Sequence, residues 1–280
     1  MLKLLLPSPA ALIKIGKTKT IVIADIHLGW EVALWNKGIH VPSQTPKLLE
    51  KLVAILSQYK PDKLLILGDI KYSVVATEPG EWHDIPEFFS ALRKHVSEVE
   101  IVRGNHDANL EPLLTENIKL LPATGTIIGD VGLFHGHKWP SPMLLKCKTL
   151  VMGHLHPVIV FRDPAGFKIT RQVWVKVKCS TNQLSKTLLQ KQPIKIEGTP
   201  EKTLKRHYNF KPHTDKLFIM PSFNDFLGGR PINETKPGKK GQTPTMIGPV
   251  LRSEAVDIDT SEIYLLDGTY LGTLKQLRKP

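Results

Sequence analysis

Apolar runs rich in Ile, Val and Leu recur along the first half of the chain, and each is followed directly by a short polar cluster. Residues 20–24 (Thr-Ile-Val-Ile-Ala) read as a buried strand from their β-branched content, and residues 63–67 and 99–103 repeat the pattern. Between the first two runs, 45–59 carries Leu48, Leu49, Leu52, Val53, Ile55 and Leu56 as an apolar stripe, with Thr45 placed to cap a helix and Pro46 in its first turn. Residues 84–96 predict a second helix, with Pro86 in the first turn and Ile85, Phe88, Phe89, Leu92 and Val96 facing inward. Strand, helix, strand, helix, strand is the pattern of a sheet with parallel neighbours.

After Gly104 the pattern shifts to short strands with little helix, at 127–128, 131–134, 149–152, 158–161 and 167–177, and Gly129-Asp130 reads as a hairpin turn. Two packed sheets with helices outside account for both halves. Residues 181–214 are polar, lysine-rich and weakly periodic, and read as an insertion or a partly mobile loop. A strand at 217–220 and an ordered turn at 223–229 follow. Residues 234–245 contain Pro-Gly-Lys-Lys-Gly-Gln-Thr-Pro and read as a linker, and 262–274 as a hairpin turning at Asp267-Gly268. The expected organisation is one domain over 1–235 with an insertion around 181–214, then a linker and a C-terminal β-hairpin extension over 236–280.

The polar clusters change the picture from packing to chemistry. They are Asp25-Ile26-His27, Gly68-Asp69, Gly104-Asn105-His106-Asp107, His135-Gly136-His137 and Gly153-His154-Leu155-His156, each at the end of an apolar run. In an extended chain residues two apart point the same way, so Asp25 and His27 can face one ion, and His154 and His156 repeat the spacing. Asp69 can bridge two cations with its two oxygens, and Asn105 offers a neutral carbonyl oxygen. None of the donors is a thiolate, so the set suits Mn, Fe, Zn or Co in a two-metal hydrolytic centre better than a structural zinc site. Each cluster alone is commonplace; five in this order at strand ends are not.

Of the 280 residues 41% are hydrophobic and 23% charged, the balance of an ordinary globular protein. The net charge of +12 fits binding to a polyanion and equally fits lysines that only keep the surface soluble, since no long basic block is present. Cys147 and Cys179 are too few for a disulfide framework, no run is long enough to span a membrane, and Met1–Leu6 is too short for a signal peptide's apolar core. A soluble cytoplasmic protein with no membrane partner is expected.

The ordered clusters resemble the calcineurin-like metallophosphoesterase superfamily. Asp25-Ile26-His27-Leu28-Gly29, Gly38-Ile39-His40-Val41-Pro42, Gly153-His154-Leu155-His156-Pro157 and Met220-Pro221-Ser222-Phe223 with Gly228-Gly229 are similar to its archaeal and ligase-associated subgroup, itself related to the nuclease subunit of the double-strand-break repair complex. The resemblance implies a four-layer α/β/β/α sandwich of two mixed sheets flanked by helices, here with a β-rich C-terminal tail. It implies one ion held by Asp25, His27 and His156, a second by Asn105, His135 and His154, and Asp69 as the bridge. His106 would act on the substrate rather than on metal. Arg103 and His137 are candidate substrate contacts, Arg103 equally a partner in a buried ion pair. The implied cofactors are two divalent ions, Mn first, with Fe, Zn, Co or Ni as alternatives. The implied activity is hydrolysis of phosphodiesters, with nucleotide or nucleic-acid phosphates as substrate class; a phosphomonoesterase and a non-catalytic scaffold of the same fold are the alternatives. The sequence does not set an oligomeric state.

Overall fold

The computed structural model describes residues 1–35, 37–74, 77–234 and 246–278. One sheet has the spatial order of the chain: β1 (Leu2–Leu4), β2 (Ala11–Ile15), β3 (Thr18–Ile23), β4 (Lys63–Ile66), β5 (Glu98–Val102) and β6 (Ile118–Leu121). β1 to β3 pair antiparallel and β3 to β6 parallel, so the sheet is mixed. Parallel neighbours need crossovers. A single turn α1 (Val32–Trp35) and the longer α2 (Thr45–Tyr59) make the first, and α3 (Pro79–Leu92) makes the second.

The other sheet contains β7 (Thr126–Ile128), β8 (Val131–Phe134), β9 (Thr149–Met152), β10 (Pro157–Arg162) and β11 (Lys168–Lys178). After α4 (Thr181–Leu189) and α5 (Pro200–Tyr208) come β12 (Lys216–Ile219), β13 (Arg230–Pro231), β14 (Glu262–Leu265), β15 (Tyr270–Thr273) and the short α6 (Leu274–Leu277). Its path runs β13-β10-β11-β12-β9-β8-β7, with β14 added alongside β11 and β15 alongside β14. The long β11 serves three neighbours, β10 through its first half and β12 and β14 through its second. β8, β9 and β12 are mutually parallel and the remaining long pairs antiparallel, so this sheet is mixed as well.

The two-residue alternation of the strands assigns each side chain to a layer. Ile21, Ile23, Leu64 and Ile66 pack against Leu48, Leu52, Phe88 and Phe89 of the helices. Their neighbours Val22, Ala24, Leu65 and Leu67 face the second sheet and meet Leu133, Val151, Trp174 and Met220. On that sheet's far side Leu150, Met152, Val175 and Leu217 pack on Leu184, Leu188 and Leu204. Three apolar interfaces separate four layers, which makes the α/β/β/α sandwich.

Several local expectations change. Residues 181–214 are not a loop: α4 and α5 lie within them, capped by Ser180 and Thr199 and anchored by buried Leu184, Leu188, Leu189 and Leu204. A narrow apolar stripe on otherwise polar helices is weak in sequence but enough to close the outer layer. Pro79, not Pro86, opens α3, and Pro86 lies inside it. Gln44 occupies the N-cap position of α2 without a side-chain cap, and the Thr45 hydroxyl donates to Asp84 Oδ2 at 2.9 Å instead. The strands β1, β2 and β6 had no sequence expectation. The 262–274 hairpin forms and joins the second sheet through β14. The expected linker at 234–245 lies, apart from Glu234, outside the described residues. Both cysteines are free; burial pushes Cys147 up to about 11 and Cys179 to about 12, so both stay protonated thiols at neutral pH. Among the described residues no helix is long and apolar enough to cross a membrane.

Candidate metal centre

Five strands end beside one another, and their outgoing loops meet. The loop after β3 is tied to the loop after β4: Asp25 N donates to Gly68 O (3.2 Å) and His27 N to Asp69 O (2.9 Å). The loops after β8 and β9 are tied by Gly153 N to His135 O at 3.0 Å. The two sheets are joined at the site by the Asp25 carboxylate, which accepts the His154 N–H at 3.0 Å and 3.2 Å. A third tie comes from beyond β12, where Ser222 Oγ donates to Asp25 O and Asn224 Nδ2 to Ile26 O, each at 2.8 Å.

Asp25, His27, Asp69, His154 and His156 all adopt positive φ, at 57°, 48°, 54°, 67° and 47°. Left-handed backbone is uncommon outside glycine and costs conformational energy. The extended-chain argument for Asp25/His27 and His154/His156 is therefore corrected. The chain kinks at each of these residues, and the kinks send His154 and His156 into different groups. Gly104 is required for the same crowding: a Cβ there would lie 2.1 Å from Asp69 Oδ1.

Two groups of donor atoms result. Asp25, His27, Asp69 and His156 form one, and Asp69, His135 and His154 the other; either could hold a metal ion. In the first, His27 Nε2 lies 3.3 Å from His156 Nε2 and 3.4 Å from Asp69 Oδ2, and His156 Nε2 lies 3.3 Å from Asp25 Oδ1. In the second, His135 Nε2 lies 3.1 Å from His154 Nδ1, 3.2 Å from Asn105 Oδ1 and 3.4 Å from Asp69 Oδ2. The other His135 nitrogen, Nδ1, donates to Leu67 O at 2.7 Å, the kind of support a ligating imidazole has.

The electrostatics are those of a site built around positive charge. Burial opposes ionisation of Asp25, yet the imidazoles of His156 and His135 hold it below the usual carboxylate range. Burial likewise opposes Asp69, and His135 and His27 hold it far below that range. Burial pulls on His135, but Asp69 and Asp25 outweigh it and raise the imidazole to about 9. Burial pushes His27 and His154 down to about 4, with neighbouring imidazoles adding to the effect. Ring nitrogens converge at 3.1 Å and 3.3 Å next to buried carboxylates, and imidazole with carboxylate suits a divalent transition ion.

Residues 18–184 match the model of the calcineurin-like phosphoesterase family, which takes in all five clusters and more than half of the chain. The chain belongs to the calcineurin-like phosphoesterase family. Its fold is similar to that of the Pseudomonas putida nuclease MPE, at 18% identity and a TM-score of 0.50, with 94% of this chain and 91% of that one covered. The E. coli phosphoesterase Yfce matches over 90% of this chain and 96% of its own, at 15% identity and a TM-score of 0.36. No curated protein sequence matches the chain.

The remaining residues of this phosphoesterase sort by position. His106 lies outside both donor groups, with Nε2 3.9 Å from Asp69 Oδ2, its backbone N–H on Asp69 Oδ1 at 3.0 Å, and Nδ1 on the Tyr72 carbonyl. His137 is half-buried, its ring 5.2 Å from that of His135 and 6.1 Å from that of His154, and it joins neither group. Arg103 turns aside to pair with Glu111 and lines no cleft at the site. Lys71 is fully buried, while Lys138 and His83 are exposed.

Tyr72, Glu81, Arg230 and Ile247 were not legible as site residues. Glu81 is fully buried on α3 and accepts the N–H groups of Tyr72 (3.1 Å), Ser73 (2.8 Å) and Glu78 (3.0 Å), shaping the loop whose Tyr72 carbonyl holds His106. Arg230 lines a cleft with Asp69, Asn105 and His154, reached because Gly229, at φ 73°, lets the chain pass against Val158 and the His156 carbonyl. Gly228-Gly229 was the sequence signal for that turn. Ile247 lines the same cleft from beyond 245, and nothing local in the sequence points there.

Proposed function

We propose that this phosphoesterase is a dinuclear metal-dependent phosphodiesterase acting on nucleotide or nucleic-acid phosphates, with Mn as the preferred ion. Asp25, His27 and His156 would hold one ion, Asn105, His135 and His154 the other, and Asp69 would serve both. The observation that carries the dinuclear reading is Asp69 Oδ2, which lies 3.4 Å from His27 Nε2 and 3.4 Å from His135 Nε2, so one carboxylate oxygen belongs to both groups.

Divalent ions in these positions, when bound, supply a water acidic enough to act as hydroxide near neutral pH and neutralise charge on phosphoryl oxygens. Asp69 and Asn105 orient the donor set from adjacent strand ends. The Tyr72 carbonyl can only accept, so His106 carries a proton on Nδ1 and presents Nε2 towards the cleft. Nε2 is then the atom placed to hold a proton for the leaving alkoxide.

The diester preference rests on room. Two clefts, of about 650 Å³ and about 310 Å³, share His27, His106, His156 and Leu227, giving space on both sides of a phosphate at the centre. A monoester needs one side only. The net charge of +12 favours an anionic substrate.

The test is hydrolysis by metal-stripped protein reloaded with Mn, comparing a bis-aryl phosphodiester with the aryl phosphomonoester and using Asp69→Ala as control. Diester turnover that requires Mn and Asp69 supports the proposal. Turnover of the monoester alone assigns a phosphatase, and two bound ions with no turnover of either ester leave a narrow-specificity enzyme or a scaffold.

A further inference from the structure

The larger cleft differs in character from the metal centre it opens from. His27, His106 and His156 form its floor, and Val32, Ala33, Tyr72, Val74 and Leu227 give it an apolar wall. At about 650 Å³ it falls within the roughly 300–1,000 Å³ of small-molecule sites. Its lining among the described residues contains no Lys or Arg, and the one carboxylate there is Glu78. The Tyr72 ring is only partly buried and stands 6.0 Å from the His27 ring and 6.2 Å from that of His106, an aromatic face beside the reacting centre. Arg230, by contrast, lies in the smaller cleft with Asp69, Asn105 and His154.

Among the described residues, no Lys or Arg side chain thus lines the space left for one ester group. Away from that floor a further phosphate would meet no Lys or Arg among the described residues and one carboxylate, whereas an uncharged aromatic group would meet Tyr72, Val74 and Leu227. We infer that the larger cleft is the seat of an uncharged, nucleoside-like ester group carried by the scissile phosphate, and that the substrate bears no second phosphate on this side. The inference rests on the phosphodiesterase reading and narrows its substrate class. A substrate extended by further phosphates would have to run through the other cleft, past Arg230.

The test uses the full Mn-loaded chain with bis(4-nitrophenyl) phosphate as reporter and three competitive inhibitors: methyl phosphate, thymidine 5′-monophosphate and thymidine 3′,5′-bisphosphate. The monophosphate should bind at least roughly tenfold tighter than methyl phosphate, the scale that stacking a base on an aromatic side chain confers. The added 3′-phosphate should remove most of that gain. Ala33→Trp, which fills the cleft from α1, should bring the ratio of the two monophosphate constants towards one. Equal inhibition by methyl phosphate and thymidine monophosphate would overturn the inference, as would a bisphosphate that binds as well as the monophosphate or a ratio that survives Ala33→Trp. Reporter turnover without a nucleoside preference leaves the phosphodiesterase reading standing and removes this one. Absence of reporter turnover removes both.

Discussion

The Asp107 carboxylate accepts the backbone N–H of Asp69 at 2.9 Å, so the last residue of one cluster holds the central carboxylate of another. The same side chain accepts from Ile70 N at 2.8 Å and Gly104 N at 2.7 Å, and it is almost fully buried. Asp107→Ala leaves three buried donors without their acceptor, each at about 1–3 kcal/mol. A loss of several kcal/mol in denaturant unfolding, together with loss of bound metal, is expected. Asp107→Asn keeps one acceptor oxygen and should lose less. Full stability of Asp107→Ala would mean that the loops after β4 and β5 hold themselves.

Asp69 belongs to both donor groups, so Asp69→Ala should release both ions. His156 belongs to the first group alone, and His156→Ala should lose one. Metal content of the purified variants after dialysis decides the matter. Equal stoichiometry in the two variants would contradict a shared carboxylate.

His106 sits outside both groups with Nε2 directed at the cleft, so His106→Ala should keep its metal and lose turnover by about 10²–10⁴-fold, the range of general acid catalysis. Unchanged turnover with metal in place would remove its role as proton donor.

Glu81 acts on His106 through the 72–73 loop. Its carboxylate holds the Tyr72 and Ser73 amides, and the Tyr72 carbonyl holds His106 Nδ1. Glu81→Ala should lower kcat more than it raises KM, with metal content preserved, and Glu81→Gln, which keeps an acceptor oxygen, should recover part of kcat. A variant altered in stability alone, with kcat intact, would assign Glu81 to packing.

Stability of the metal-free protein should peak near neutral pH. His27, His137 and His154 are held at about 4, below their ordinary 6.5. As pH falls from 6.5 towards 4 the unfolded chain takes up protons there and the folded chain does not, so stability declines. Asp107, raised from 3.8 to about 6 by burial and the Asp69 charge, works the other way over that window but is one group against three. Asp25 and Asp69, both lowered, stay ionised in the folded chain, and as pH nears 3.8 their unfolded counterparts begin to take up protons, which adds to the decline. His135, raised to about 9, contributes stability that is complete below 6.5 and lost as pH rises through 9. Thermal unfolding of chelator-treated protein across this range should show a maximum in Tm, and bound metal should flatten it. A Tm that climbs steadily towards acid pH would contradict the buried neutral histidines.

Much of this was legible in the residues. α2 falls on the predicted 45–59, and β8 and β9 on 131–134 and 149–152, because their apolar periodicity is strong and bounded by turn residues. α4 and α5 were hidden because few of their side chains are buried, β1 and β6 because short strands at a sheet edge carry little pattern, and β2 because its last two residues are exposed. Tyr72, Glu81 and Ile247 had no local signature, and Arg230 had only the Gly228-Gly229 turn before it, since what makes them matter is a neighbour far along the chain.

By itself the sequence determined which side chains are able to hold metal and that each follows a strand, because β-branched runs and polar clusters are local features. Only the tertiary structure decided the rest. It parted His154 from His156 through two left-handed kinks, and it set Asp69 between His27 and His135. It also turned Arg103 away to Glu111 while bringing Arg230 in. Backbone sign and three-dimensional neighbours arise from the packing of two sheets against each other, and no window of residues along one strand contains that information.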